Sequence, residues 1–301
     1  MKILVTGSSG LVGSALLPSL ETEGHRVVRL VRSQPASDQE EVFWDPQAEK
    51  MNPTRMEGFD GIVHLAGENV AAGRWTAGQK GRIRKSRVDG TSLLSKTLAQ
   101  LARPPEVLVA ASAVGYYGDR GDEWLREESS AGTGFLSDVC RTWEAATMPA
   151  AQKGIRVVNL RIGFVLSQKG GGLAKMLVPF RMGLGGVVGD GKQYLSWIAI
   201  DDLVRVIHHC LVDRRLQGAV NATTPHPVTN REFTRTLAKV LGRPALFPLP
   251  AFVARMAFGE MAGEVLLAGQ RVAPARLQAT NFTFQYRELE PALRHLLAKS
   301  T

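Results

Sequence analysis

With 301 residues, 44% of them hydrophobic and 22% charged, the chain is long enough for one large α/β unit or two domains sharing an interface, and it has no low-complexity tract or repeat. No apolar run approaches the roughly 18–20 residues of a membrane span, and Cys140 and Cys210 are too few for a disulfide framework and lack metal-ligand spacing, so no membrane partner and no metal are expected. The net charge of +9 is spread along the chain, with one cluster at Lys80, Arg82, Arg84, Lys85 and Arg87, and fits an anionic cofactor or phosphorylated substrate better than nucleic acid. The chain enters a strand at once, so no signal peptide is expected and a reducing cytoplasm is the simplest compartment.

The first thirteen residues carry the clearest signal. Ile3, Leu4 and Val5 have the apolar continuity of a buried parallel strand, and a helical pattern opens at Leu11. Between them Gly7, Gly10 and Gly13 recur at three-residue intervals. The first glycine lets the chain turn off the strand, the second admits a pyrophosphate to the backbone, and the third removes a Cβ that would hold helix and strand apart. Free N–H groups and the positive dipole end of the helix then face the phosphates. This is a dinucleotide site, with Thr6, Gly7, Ser9, Gly10, Leu11, Val12 and Gly13 as its candidate residues. The Gly-x-x-Gly-x-x-Gly spacing behind Thr6 resembles the short-chain dehydrogenase/reductase superfamily, in its extended, sugar-nucleotide-epimerase-like branch.

The second strand is predicted at Arg26–Val31. An NAD-selective site places an acidic residue at the end of this strand to bind the ribose 2′-hydroxyl. Here Arg32 and Ser33 follow instead, and a guanidinium forks onto a 2′-phosphate, so NADP(H) is the expected cofactor. Gly61–Gly67 reads as a buried strand ending in small residues. In the extended family a similar segment lies under the adenosine side of the cofactor, which implies roles for Leu65, Ala66 and Gly67; His64 reads as a core histidine. A long helix is predicted after Trp75 through about Leu101. Its Arg87-Val-Asp-Gly-Thr91 resembles the family's Asn-Val-x-Gly-Thr, with Arg87 free to serve a phosphate or a nearby backbone. Glu68 and Arg74 follow a sheet edge and could enter the cleft.

Val107–Ser112 is a further strand, and Ser112-Ala-Val-Gly-Tyr-Tyr-Gly118 resembles the family's strand end with a catalytic serine and a following Tyr-Gly. The resemblance breaks at the next helix, expected over Phe135–Ala150. The superfamily's chemistry rests on Tyr-x-x-x-Lys, which the chain nowhere contains; aligning Glu144 with the glutamate that often follows the lysine puts Leu136 and Cys140 at the dyad positions. Ser112, Tyr116 and Tyr117 are therefore the catalytic candidates, the choice between the tyrosines staying open. Ile155–Leu160 is the next strand, followed by Arg161 and Gly163, where the extended family runs past the nicotinamide. Gly170–Gly172 reads as a flexible loop, Leu173–Met182 as helix, and Asp201 or Asp202 as the cap of a helix beginning there.

The tail reads as helix, Pro-rich break and further helices. Phe258-Gly-Glu-Met-Ala262, Leu266–Leu277 and Phe282–Tyr286, with Arg74-Trp75 and Trp143-Glu144, resemble the "epimerase family protein" subgroup. The expected architecture is α/β: a Rossmann-type doubly wound parallel sheet from residues 1–163 and 197–225, and a smaller C-terminal α/β substrate lobe from 164–196 and 226–301. Two readings of function follow. One is an NADP(H)-dependent enzyme of epimerase, dehydratase or reductase type acting on a carbonyl or carbinol carbon of a small, sugar- or nucleotide-linked substrate, as a monomer or homodimer. The other is a catalytically inactive NADPH-binding sensor, motivated by the missing dyad.

Overall fold

A computed structural model of the chain describes residues 1–33 and 40–298. Its frame is an eight-stranded sheet made of β1 (Lys2–Thr6), β2 (Arg26–Val31), β3 (Glu41–Asp45), β4 (Lys50–Met51), β5 (Gly61–His64), β6 (Val107–Ala113), β8 (Arg156–Ile162) and β12 (Gly218–Ala222). The order across the sheet is β12-β8-β6-β5-β1-β2-β3-β4, parallel throughout except for the edge pair β3 and β4. From β1 the chain builds outward to β2 and β3 on one side and to β5, β6, β8 and β12 on the other. The switch point therefore lies between β1 and β5, where an open α/β sheet holds its ligand. Short ribbons outside this sheet pair β7 (Trp124–Leu125) with β14 (Arg271–Val272), β9 (Phe164–Leu166) with β11 (Trp197–Ala199), and β10 (Tyr194–Leu195) with β13 (Val228–Thr229).

Ile3, Leu4 and Val5 are all buried, because helices cover both faces of the sheet. On one face α1 (Leu11–Thr22) and α6 (Ile200–Val212) bury Leu16, Leu20, Leu203 and Ile207 against Val5, Val109 and Val158. Leu277 and Phe284, from the tail, complete that core. On the other face α2 (Ala77–Gln100) and α4 (Met148–Gln152) bury Leu94, Leu98 and Ala150 against Leu4, Ile62 and Leu108. Each buried leucine, isoleucine or valine among these contributes about 1.5–3 kcal/mol. A third core joins α5 (Gly171–Arg181), α7 (Asn230–Leu241) and α10 (Leu289–Ala298) around Phe180, Trp197 and Phe233. Helix α7 starts at a Thr229–Glu232 capping box and stops at left-handed Gly242. Helices α8 (Ala251–Phe258) and α9 (Ala275–Ala279) complete the tail.

Three local expectations are corrected. The helix predicted over Phe135–Ala150 is two helices, α3 (Phe135–Ala145) and α4, because Pro149 occupies the first turn of the second and its backbone cannot continue a helical ladder. Gly170–Gly172 is the start of α5 rather than a flexible loop. A Cβ at Gly172 would stand 2.1 Å from the Phe164 ring, so the glycine serves close packing. Neither Asp201 nor Asp202 caps α6, whose N-cap is Ala199. Asp202 turns away, fully buried, to accept the Gln285 and Tyr286 N–H groups at 2.8 and 2.9 Å, tying down the tail; Asp201 faces His295 at 3.1 Å.

Candidate functional site

At the switch point the three glycines do different work. Gly7 has φ +66°, and a Cβ there would lie 2.8–2.9 Å from the Leu65 and Ala66 backbone. A Cβ at Gly13 would lie 2.3 Å from the Gly7 carbonyl. A Cβ at Gly10 would meet only that carbonyl, at 3.2 Å, so its outer side is an open cradle beside Ser9 and the first turn of α1. Thr6 is buried; its hydroxyl accepts the N–H groups of Leu65 and Ala66, both at 3.1 Å, and bonds His64 Nδ1 at 2.8 Å. It welds the glycine loop to the loop after β5. Leu11 and Val12 are partly buried, and Leu11 leans on Gly170 and Gly171, which seats α5 beside the cradle. Arg32 and Ser33 lie exposed just beyond β2, with no carboxylate among the described residues of that strand end.

His64 is a core residue. It lies between Thr6 and Thr91, whose hydroxyl also accepts the Trp143 indole N–H, and burial pushes the imidazole down to about 4. Arg87 faces the backbone: its Nη1 donates to the Glu68 and Ile83 carbonyls at 2.9 and 3.2 Å, and its guanidinium lies over the Trp143 ring against Gly67. Burial pushes this arginine below its ordinary value.

At the ends of β6 and β8 a polar cluster is tied shut. Ser112 is buried and donates its hydroxyl hydrogen to Glu144 Oε1 at 2.7 Å. Arg161, 3% exposed, grips the same carboxylate with Nε and Nη2, each at 2.8 Å. Its Nη1 donates to the Tyr117 hydroxyl and the Glu127 carbonyl, so among the described residues Arg161 is fully engaged with protein groups. Tyr117 is buried and its hydroxyl donates to Asn221 Oδ1 at 2.7 Å; burial pushes the phenol up to about 12. Glu127 accepts the Asn221 and Arg276 N–H groups through Oε1, while burial pushes its carboxyl upward.

Tyr116 is different. Its ring is partly exposed, the Arg161 guanidinium lies 3.5 Å from the ring centroid, and its hydroxyl makes no hydrogen bond among the described residues. At the dyad positions, Leu136 packs on Gly115, and Cys140 is buried with its thiol pushed up to about 11. Gly163 carries the chain past Ser196, where a Cβ would lie 2.5 Å from the Ser196 carbonyl.

The C-terminal segment clamps this region. Glu264 accepts the Phe135 and Leu136 N–H groups, both at 2.7 Å, neutralising the exposed donors at the start of α3. Lys175 reaches the Ala71 carbonyl, Arg74 the Met256 carbonyl, and Lys80 pairs with Glu260. Beside this clamp opens a concavity of about 760 Å³ lined in part by Trp75, Lys80, Arg84, Phe135 and Asp138. Glu144, Asn221 and Glu264 were not singled out as site residues by sequence reasoning. For Glu144 the sequence signals are its match to the glutamate that follows the family's lysine and the Trp143-Glu144 phrase.

Comparison with known proteins bears on the whole chain. Residues 3–222 match the model of the NAD dependent epimerase/dehydratase family, and residues 249–296 match a domain of unknown function, DUF1731. An epimerase family protein of Mycobacterium bovis is 43% identical over 291 residues, covering 97% of this chain and 96% of the relative. The crystal structure of the human epimerase family protein with NADPH superposes with a TM-score of 0.92 at 34% identity, covering both chains fully. A nucleoside-diphosphate sugar epimerase from Corynebacterium glutamicum superposes with a TM-score of 0.83 at 39% identity, covering 99% of this chain and 58% of the other.

Proposed function

The chain belongs to the NAD dependent epimerase/dehydratase family, and on that premise we propose that it is an NADP(H)-dependent oxidoreductase acting on a carbonyl or carbinol carbon of a small substrate. The residues fit the cofactor: an open cradle at Gly10, the N-terminus of α1 behind it, and Arg32 rather than a carboxylate beyond β2. The human relative solved with NADPH supports the same choice. When bound, the nicotinamide supplies or takes up a hydride.

The observation that carries the reading is Tyr116. It is the phenol near the sheet edge whose hydroxyl is uncommitted, and its ring is held under an arginine that Glu144 fixes in place. Tyr116 exchanges a proton with the substrate oxygen. The Glu144–Arg161 pair positions the ring, and the Ser112 hydroxyl, with its hydrogen on Glu144, keeps lone pairs to receive a hydrogen from a substrate hydroxyl. Tyr117 braces β12 against β8 and takes no part.

A sensor that binds NADPH without turning it over is the second reading, favoured by Leu136 and Cys140 at the dyad positions. Stoichiometric mixing of the protein with deuterated NADPH and a panel of aldehydes, ketones and nucleotide sugars separates the two. Deuterium transfer that disappears in Tyr116→Phe, while calorimetric NADPH affinity is unchanged, supports the enzyme. Transfer unaffected by the substitution removes Tyr116 from the mechanism, and tight NADPH binding without transfer to any compound favours the sensor.

A further inference from the structure

We propose that one face of the C-terminal lobe docks on an anionic lipid surface. The turn after α5 and the segment leading into α8 are laid side by side: Leu184 bridges Ala245, the Phe247 N–H donates to the Gly185 carbonyl at 3.1 Å, and the Leu249 N–H to the Val187 carbonyl at 2.8 Å. This paired unit and α8 turn large apolar side chains outward. Met182, Leu184, Leu246, Phe247, Phe252 and Met256 are between 50% and 75% exposed. On α8, Phe252 and Met256 are four residues apart and share one helix face with Arg255 on its flank, opposite buried Ala254. Single exposed apolar residues are ordinary; a concentration of this kind marks a contact surface.

Charge decides what the surface meets. The segments that carry these side chains, residues 171–189 and 241–258, contain Lys175, Arg181, Arg243 and Arg255 and no Asp or Glu; of the acids that directly follow them, Glu260 pairs with Lys80 and Asp190 accepts the Lys192 N–H. Arg181, Arg243 and Arg255 are exposed and make no ion pair among the described residues. A second copy docked through a two-fold axis would press the same cations against each other, because an isologous interface pairs a patch with itself. The complement is a negative surface that also accepts protruding Phe, Leu and Met side chains, which describes the headgroup boundary of an anionic bilayer. A surface contact of this kind needs no membrane span, so the proposal departs from the expectation of no membrane partner, which rested on the lack of a spanning apolar run; no helix among the described residues is long and apolar enough to cross a membrane.

The test is flotation of the whole chain with phosphatidylglycerol-containing vesicles and with pure phosphatidylcholine vesicles, at low and high salt, with light scattering on the same samples. Binding to the anionic vesicles is expected, weakened about fivefold for each of Arg181, Arg243 or Arg255 replaced by Ala and abolished by Phe252→Ser with Met256→Ser. These positions are exposed, so the variants keep their melting temperature. A Phe252→Trp variant should shift its emission to the blue only with the anionic vesicles. Failure of the folded chain to float with anionic vesicles at low salt overturns the proposal. So does flotation that survives the double serine variant, or a dimer that the double variant dissolves.

Discussion

At the end of β1, three glycines and a buried threonine leave a cradle open to solvent; at the ends of β6 and β8, the polar side chains among the described residues are tied to one another, apart from the Tyr116 hydroxyl and the buried Glu127 Oε2. The first region is made of backbone. Its specificity lies in the absence of side chains at Gly7, Gly10 and Gly13, and the shape survives because the loop leans on Leu65 and Ala66. The second is made of side chains from separate segments: Ser112, Tyr117, Glu144, Arg161 and Asn221. On the proposed function, the cradle is left open to admit a large anion, while the cluster that holds one phenol in place is closed around it. Substitutions in the two regions are therefore expected to fail differently, the first in binding and, Tyr116 aside, the second in folding.

The largest effect belongs to the closed region. Replacing Arg161 by Leu strands the Glu144 carboxylate beside a buried serine, and urea unfolding should show a loss of about 3–5 kcal/mol; a loss below 1 kcal/mol would mean that water already reaches the pair. Next comes the cradle: Gly13→Ala forces a Cβ against the Gly7 carbonyl, and calorimetry should show NADPH affinity falling by about 100-fold or more. Unchanged affinity would place the cofactor elsewhere.

His64 lies beneath the cradle, between Thr6 and Thr91, and gives the pH dependence. Its folded value near 4 lies below its ordinary 6.5, so below 6.5 the unfolded chain takes up the proton first. Stability is held above pH 6.5 and lost as the pH falls toward 4, by about 3 kcal/mol. His64→Gln, which keeps a donor and an acceptor but cannot titrate in that range, should flatten this slope in unfolding measurements.

The two tyrosines sharpen the contrast inside the closed region. Tyr117→Phe leaves Asn221 and Arg161 short of a partner and should cost about 1–3 kcal/mol of stability. Tyr116→Phe removes a hydroxyl with no protein partner and should leave the melting temperature unchanged while stopping hydride transfer. The smallest effect is Arg32→Ala, expected to weaken NADPH about tenfold and leave NADH untouched; equal loss for both would deny Arg32 any contact with a 2′-phosphate.

How much of this was legible follows the same division. The cradle, the buried strands, the missing carboxylate after β2 and the missing Tyr-x-x-x-Lys can all be read in order along the chain, because each depends on neighbours within a few residues. Strand periodicity and apolar runs report which face is buried, and that was sufficient for the sheet and for His64 as a core residue. It was insufficient where two polar residues meet: Ser112 and Glu144 are 32 positions apart, Tyr117 and Asn221 are 104, and Leu136 and Glu264 are 128. Those pairings depend on strand order, register and the angle at which α3 crosses the sheet. The sequence by itself determined the family, the glycine loop and the kind of cofactor it suits, since backbone freedom is a local property. Only the tertiary structure decided that Tyr117 is a brace, that Arg161 faces Glu144, and that the Tyr116 hydroxyl has no partner among the described residues, since a side chain's partners are set by what the folded chain brings beside it.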